Sequence, residues 1–315
     1  MSIKLGVIMD PIGSINTRKD STFAMLLQAQ ERQWDIYYIQ MSDLSLRDGS
    51  PYAQTRQLTV WDETESWYEL DEQITLPLQN LDVILMRKDP PFDMEYIYVT
   101  YILQHAHDLG CLVINRPDSL RDANEKLFTA RFPQCCTPML VCRDATQIKT
   151  FLKKHEDIIL KPLDGMGGAS IFRVRQGDPN TNVIIETLTS SGQAFCMAQK
   201  FIAEISSGDK RILLIDGEPI PYALARIPAS GETRGNLAAG GRGEGVPLSE
   251  RDYWICEQLK PTLKKMGLMF VGIDVIGDYL TEVNVTSPTC IRELDKLYNL
   301  NIAGQLLDVI EQKRQ

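Results

Sequence analysis

A chain of 315 residues, 43% hydrophobic and 24% charged, is long enough to bury more than one core and needs no disordered segment to explain its composition. Its formal net charge of −9 excludes nucleic acid or an anionic membrane as the main partner, since both demand a basic face. A phosphate ligand stays open, because a few local cations and backbone amides suffice to hold one.

In chain order, residues 3–9 form an apolar run too short to span a bilayer, with no small-residue cleavage site after it, which predicts a cytoplasmic protein. Apolar runs at 3–9, 36–39, 83–86 and 112–114 alternate with amphipathic stretches at 20–33 and 95–109. That alternation predicts strand–helix–strand units on a mainly parallel sheet, an α/β fold. Asp10-Pro11-Ile12-Gly13 closes the first strand with a turn, where such sheets present ligand-binding loops. Residues 45–77 read as polar, aromatic and irregular.

The pattern changes at Arg116-Pro117-Asp118-Ser119. A helical piece over 120–130 leads to a helix over 144–155, whose Asp144 and Gln147 form a capping-box start. A strand at 158–162, a glycine loop, a return strand at 170–174 and a closing strand at 194–202 follow. Beyond 210 come a hairpin turning at Asp216-Gly217, a long glycine-rich loop, a helix over 249–266, and strands at 270–276 and 279–285 turning at Gly277-Asp278. Seven cysteines without a CxxC pair fit neither a disulfide framework nor a zinc site and read as idle thiols. His105, His107 and His155 fall in helical patterns as structural or solvated side chains, and no Ser–His–Asp or Cys–His arrangement supports a hydrolase.

Three constellations carry chemistry. In Ile158-Ile159-Leu160-Lys161-Pro162-Leu163-Asp164-Gly165-Met166-Gly167-Gly168, a lysine sits in an apolar strand, where its desolvation is expensive unless it meets an anion. The glycines let backbone amides approach that anion, as a nucleotide triphosphate requires, and the spacing is not that of a P-loop. In 270–285, period-2 alternation puts Glu282 and Asn284 on one strand face, with Asp274 on the partner strand able to face them. Three oxygen donors among valines and isoleucines suit Mg²⁺ bridging phosphates. The run 227–246, with six glycines around Arg234 and Arg242, reads as a lid that shields a reactive phosphate.

With NEKLFTARF, ILKPLDGMGGASIFRV, LARIPASGETRGNLAAGGRGE and FVGIDVIGDYLTEVNVTSPTCIRE, the chain resembles the ATP-grasp ligases, and most closely the bacterial glutathione synthetase family. MDPI and LMRKDPPFD extend the likeness over nearly the whole length. The resemblance implies an ATP-grasp fold divided into an N-terminal α/β domain (1–121), a central lid domain (122–202) and a C-terminal domain with the metal and substrate site (203–315). Lys126 and Lys161 would hold the ATP phosphates under a flap of Gly165, Met166, Gly167 and Gly168. Gln199, Lys200 and Ile202 would recognise adenine, and Asp209 the ribose. Asp274, Glu282 and Asn284 would bind two Mg²⁺ ions, with Mn²⁺ able to substitute, and Arg211, Arg226 and Arg234 would stabilise the transferring phosphoryl group. Ser287, Thr289 and Arg292, with Arg87, Ser14 and Arg18 from the N-terminal domain, would hold the dipeptide.

The same likeness implies γ-glutamylcysteine, glycine and ATP as small-molecule partners, no nucleic acid, no membrane, and a homotetramer. Two alternatives stand beside it: another ATP-grasp carboxylate–amine ligase, of the D-alanine:D-alanine or protein glutamate type, and a nucleotide-binding subunit without catalysis.

Overall fold

The computed structural model describes residues 2–165, 167–229, 235 and 242–314. The chain opens with β1 (Lys4–Ile8), α1 (Ser21–Glu31), β2 (Asp35–Ile39), β3 (Leu44–Arg47), β4 (Ser50–Val60), β5 (Tyr68–Pro77), β6 (Val83–Met86), α2 (Met94–Asp108) and β7 (Leu112–Ile114). Strand β6 is buried along its length and β1 beyond its first residue, as in a parallel sheet covered on both faces. The pairs β1–β2, β1–β6 and β6–β7 run parallel. Asp20 and Asp93 cap α1 and α2 by accepting from Phe23 N (2.7 Å) and Tyr96 N (2.9 Å), which fixes both helix starts at the mouths of these strands.

Residues 45–77 are regular, contrary to the sequence reading. Here β4 pairs antiparallel with β2, β3 and β5, making the sheet mixed in the order β3-β4-β2-β1-β6-β7 with β5 on β4. Two features hide this from pattern: a register shift between Arg56 and Leu58 breaks the alternation of β4, and most of β5 is exposed on both faces.

The chain continues through α3 (Pro117–Asp122) to a four-stranded antiparallel sheet built from β8 (Met139–Cys142), β9 (Asp157–Pro162), β10 (Phe172–Arg175) and β11 (Cys196–Lys200), in the order β10-β9-β11-β8. Helices α4 (Ala145–His155) and α5 (Thr181–Thr189) cover one face, where Ile158, Leu160, Val174 and Ala198 are buried. Asp144 accepts from Gln147 N at 2.9 Å, half of the expected capping box. The expected helical piece at 120–130 is split between α3 and a 3₁₀ segment, Leu127–Arg131.

A third sheet, β14-β13-β12-β15-β16, is antiparallel throughout and consists of β12 (Asp209–Ile215), β13 (Glu218–Ile227), β14 (Arg242–Pro247), β15 (Phe270–Ile276) and β16 (Tyr279–Asn284). Strand β14 claims the end of the glycine-rich run, pairing Ile227 with Arg242 through Tyr222 with Pro247. Helix α6 (Glu250–Met266) packs its buried Ile255, Leu259 and Leu263 into the core shared with this sheet. Two helices without a sequence expectation close the chain, α7 (Ile291–Tyr298) and α8 (Ile302–Lys313), the latter lying against α1. All seven cysteines are free, and all but Cys136 are buried. Among the described residues no helix is long and apolar enough to cross a membrane.

Helix α6 begins with a reciprocal cap, in which Ser249 and Asp252 each satisfy the other's backbone amide, and Asp252 also takes Lys210 at 2.5 Å. Ser249→Ala removes one acceptor from this start, and we expect a loss of about 1 kcal/mol, read as a lower urea midpoint without a change in activity.

Candidate functional site

A cavity of about 290 Å³ opens between the second and third sheets, with loops of the N-terminal unit at one end. Strand alternation explains its walls. On β9, Ile158 and Leu160 face the helices while Ile159 and Lys161 line the cavity, and on β11 Gln199 lines it, in register with Ile159. Gln199, Lys200, Ile202, Ile171, Ile205 and Ile276 also line the cavity. Lys161 is only 4% exposed, and among the described residues its ammonium reaches just Thr281 O, at 3.5 Å. Burial pulls its pKa below the usual lysine value, with Glu282 opposing the shift.

The turn at 124–126 fastens the two sheets together. Asn124 Nδ2 donates to Leu163 O (3.0 Å), Lys126 Nζ to Gly165 O (2.6 Å), and Val283 N to Glu125 O (2.8 Å), joining the glycine flap to the metal-candidate strand. Lys126 is 1% exposed, paired with Glu125 and 3.6 Å from Glu282. Burial disfavours its charge, but Glu282 and Glu125 outweigh that and raise its pKa. In the flap, Gly167 and Gly168 adopt φ of +64° and +80°, the left-handed region that favours glycine, while Met166 lies outside the described residues.

The floor is a buried charge network set by strand register. Arg211 on β12 stands opposite Asp274 on β15, and Asp209 on β12 opposite Arg226 on β13. Arg211 donates to both Asp274 oxygens (2.5 and 3.1 Å), while Arg226 Nη2 bridges Asp274 Oδ2 (2.9 Å) and Asp209 Oδ2 (2.5 Å). Burial alone would raise Asp274, yet Arg211 and Arg226 prevail and hold it well below the usual carboxylate range. Asp209 goes the other way: burial pushes it up to about 7 against the pull of Arg226, and among the described residues its Oδ1 has no hydrogen-bond partner. Gly235 lies beside this pair, whereas Arg234 is outside the described residues.

Asp274 and Glu282 are direct cross-strand partners, and Asn284 follows on the same face, opposite Gly272. All three line the cavity, and Asn284 Nδ2 is buried with no partner among the described residues. Among the described residues no three carboxylate, histidine or cysteine side chains enclose an ion unaided. This oxygen-donor set nevertheless fits Mg²⁺, which usually takes part of its shell from water and substrate phosphates rather than an all-protein cage.

The expected dipeptide residues separate. Ser287 and Thr289 line the cavity, on the loop after β16. Arg292 does not: it is bonded to Asp62 (2.8 and 3.2 Å) at the tip of the β4–β5 hairpin, and with Arg18 it lines a different groove between α1 and α7. Ser14 bonds back to Pro11 O (2.6 Å) on the exposed turn, and Arg87 is buried behind the 286–290 loop. Sequence reasoning passed over Asp89, Pro90 and Glu125, which do line the cavity. Asp89 sits within the family-like LMRKDPPFD, its amide bound to Asp10 Oδ2 (3.0 Å) of the first turn, so the motif held the signal at a neighbouring position.

Two antiparallel sheets gripping a cavity lined by lysines, a glycine flap and paired carboxylates define an ATP-grasp ligase. The fold is shared over full length with the ATP-grasp ligase PsnB, whose structure with minimal precursor, Mg and ADP matches at a TM-score of 0.63 and 16% identity, covering 98% of each chain. The sequence model of the prokaryotic glutathione synthetase N-terminal domain matches residues 3–121, and that of the same family's ATP-grasp domain residues 125–299. Glutathione synthetases of Vibrio cholerae serotype O1 and Pseudomonas putida are each 61% identical, over 99% of this chain and 98% and 99% of their own. The chain belongs to the prokaryotic glutathione synthetases.

Lys161 and Arg226 respond oppositely to removal. Lys161→Met deletes a poorly partnered buried charge, so the melting temperature stays at the parental value or rises while turnover falls about 100-fold. Arg226→Leu leaves Asp209 and Asp274 under-compensated in the interior and costs about 3–5 kcal/mol, visible as an earlier urea transition.

Proposed function

We propose that this ATP-dependent ligase joins γ-glutamylcysteine to glycine through an acyl phosphate, releasing ADP, phosphate and glutathione. Supporting this reading is the convergence, in one cavity, of Lys161, Arg211 and Arg226 with the donor set Asp274, Glu282 and Asn284, while Lys126 stands 3.6 Å from Glu282.

In the first step the cysteinyl carboxylate of the dipeptide attacks the γ-phosphorus of ATP, and ADP departs. Lys161 and Lys126 hold the phosphates, and the burial that weakens Lys161 in the free protein makes it a strong partner for an arriving anion. Arg211 and Arg226, fixed by Asp274 and Asp209, place positive charge beside the transferring group without reorganising. Bound at Asp274, Glu282 and Asn284, Mg²⁺ in two ions, or Mn²⁺ in its place, would neutralise phosphate charge. In the second step glycine's amine attacks the acyl carbon and phosphate leaves. Gly165 to Gly168 and the run 227–246 with Arg234 cover the intermediate against water.

Gln199, Lys200 and Ile202 contact adenine, and the unpartnered Oδ1 of Asp209 accepts a ribose hydroxyl. Ser287 and Thr289 hold the dipeptide in the cavity, with Arg292, Arg18 and Ser14 contributing from the neighbouring surface. We include cytoplasmic location and a homotetramer, the latter checked by sedimentation. We keep the division at 121 and 202, supported by each of the three sheets falling within one of its spans.

The test mixes protein, Mg-ATP, γ-glutamylcysteine and glycine and follows ADP. We expect release that needs both amino substrates and stops when EDTA removes the metal. Release with D-alanine alone would transfer the chain to another ligase activity, and none at all would leave a nucleotide-binding subunit.

A further inference from the structure

The 286–290 loop carries Ser287 and Thr289 into the cavity and has no secondary structure of its own before α7 begins. Two residues of the N-terminal unit hold it from behind. Each directly follows one of two adjacent parallel strands: Arg87 follows β6 and Asn115 follows β7.

Asn115 is buried, and its carboxamide makes three bonds to backbone. Nδ2 donates to Phe270 O (2.8 Å) and Val285 O (2.7 Å), and Oδ1 accepts from Phe270 N (2.9 Å). The last ladder pair between β15 and β16 on this side is Gly272 with Asn284. Phe270 and Val285 lie just beyond it, so one side chain supplies the missing rung where the two metal-candidate strands would otherwise part. Arg87 grips the loop itself. Its Nη2 donates to Pro288 O (3.0 Å), its Nε to Thr22 Oγ1 (3.1 Å), its carbonyl accepts from Ser287 Oγ (3.2 Å), and its guanidinium lies 5.5 Å from the Phe270 ring centre.

Little room is left for the loop to retreat. The gap among Arg87, Asn115, Phe270 and Thr286 is about 10 Å³, at most one water. On the other side Pro288 sits directly on β15, where a Cβ added to Gly272 would meet Pro288 Cβ at 2.8 Å and Arg211 Cδ at 3.0 Å. Pro288 and Arg211 thus crowd the same backbone position of β15, beside Asp274's partner arginine.

We infer that Asn115 and Arg87 are positioning residues of the ligase reaction: without touching substrate, they set the dipeptide-binding loop at its working distance from Arg211, Asp274 and Glu282. The inference rests on the ligase reading above. It assigns the N-terminal unit a part in aligning the dipeptide carboxylate with the phosphoryl group it accepts, where a misplacement of about 1 Å can cost 100-fold.

Asn115→Asp keeps the side chain's shape but turns an oxygen toward Phe270 O and Val285 O, and Arg87→Lys keeps the charge but loses the fork. Steady-state constants for ATP, γ-glutamylcysteine and glycine, with circular dichroism for the folded fraction, read the outcome. We expect kcat to fall at least about tenfold and KM for the dipeptide to rise about tenfold, while KM for ATP stays within about twofold. Constants within twofold of the parent, or a loss that merely tracks the folded fraction, overturn the inference. If Asn115→Asp does not fold, the constants of Arg87→Lys decide the matter by the same thresholds. A parent without ADP release dependent on both amino substrates would remove the ligase reading and this inference together; an active parent with unselective variants sinks the inference only.

Discussion

Two guanidinium groups and two carboxylates share the floor of the cavity, and most of its geometry follows from keeping them mutually neutral. Ions taken out of water cost several kcal/mol each unless partners in good geometry replace the solvent. Here strand register supplies those partners, with Arg211 opposite Asp274 and Asp209 opposite Arg226, so the antiparallel ladder itself delivers charge against charge. Lys161 stands outside this balance. Buried with one long contact among the described residues, it is a local instability that the surrounding sheets sustain.

Much of this was legible in the chain, because the informative signals were local. The lysine within an apolar strand, the glycines after it and the alternation placing Glu282 beside Asn284 are short-range patterns, and the ladder carries them directly into the cavity wall. Less legible was whatever depends on distant pairing. Arg292 lies two residues after the cavity-lining Cys290, yet α7 turns its side chain toward Asp62, a hairpin residue 230 positions earlier. Arg87 likewise looked like a substrate ligand in sequence, but the end of β6 directs it to Pro288 O, a contact between residues 201 apart. Strand β5 escaped notice because a strand exposed on both faces leaves no hydrophobic period to read.

The three sheets divide the work unequally. The second presents Lys161, Gln199 and the glycine flap, the third presents the buried charges, and the first stands behind the loop that follows β16. The family likeness covers all three sheets.

The cysteines take on a meaning once the reaction is known. Substrate and product each carry a free thiol, present at every turnover beside a protein with seven thiols of its own. Burial pushes Cys111, Cys136 and Cys256 up to about 12 and Cys196 to about 11, and raises Cys135 and Cys290 as well. Only the thiolate enters disulfide exchange, and these groups hold their protons. Six of the enzyme's own thiols are thereby kept poor partners for exchange with the thiol metabolite handled beside them.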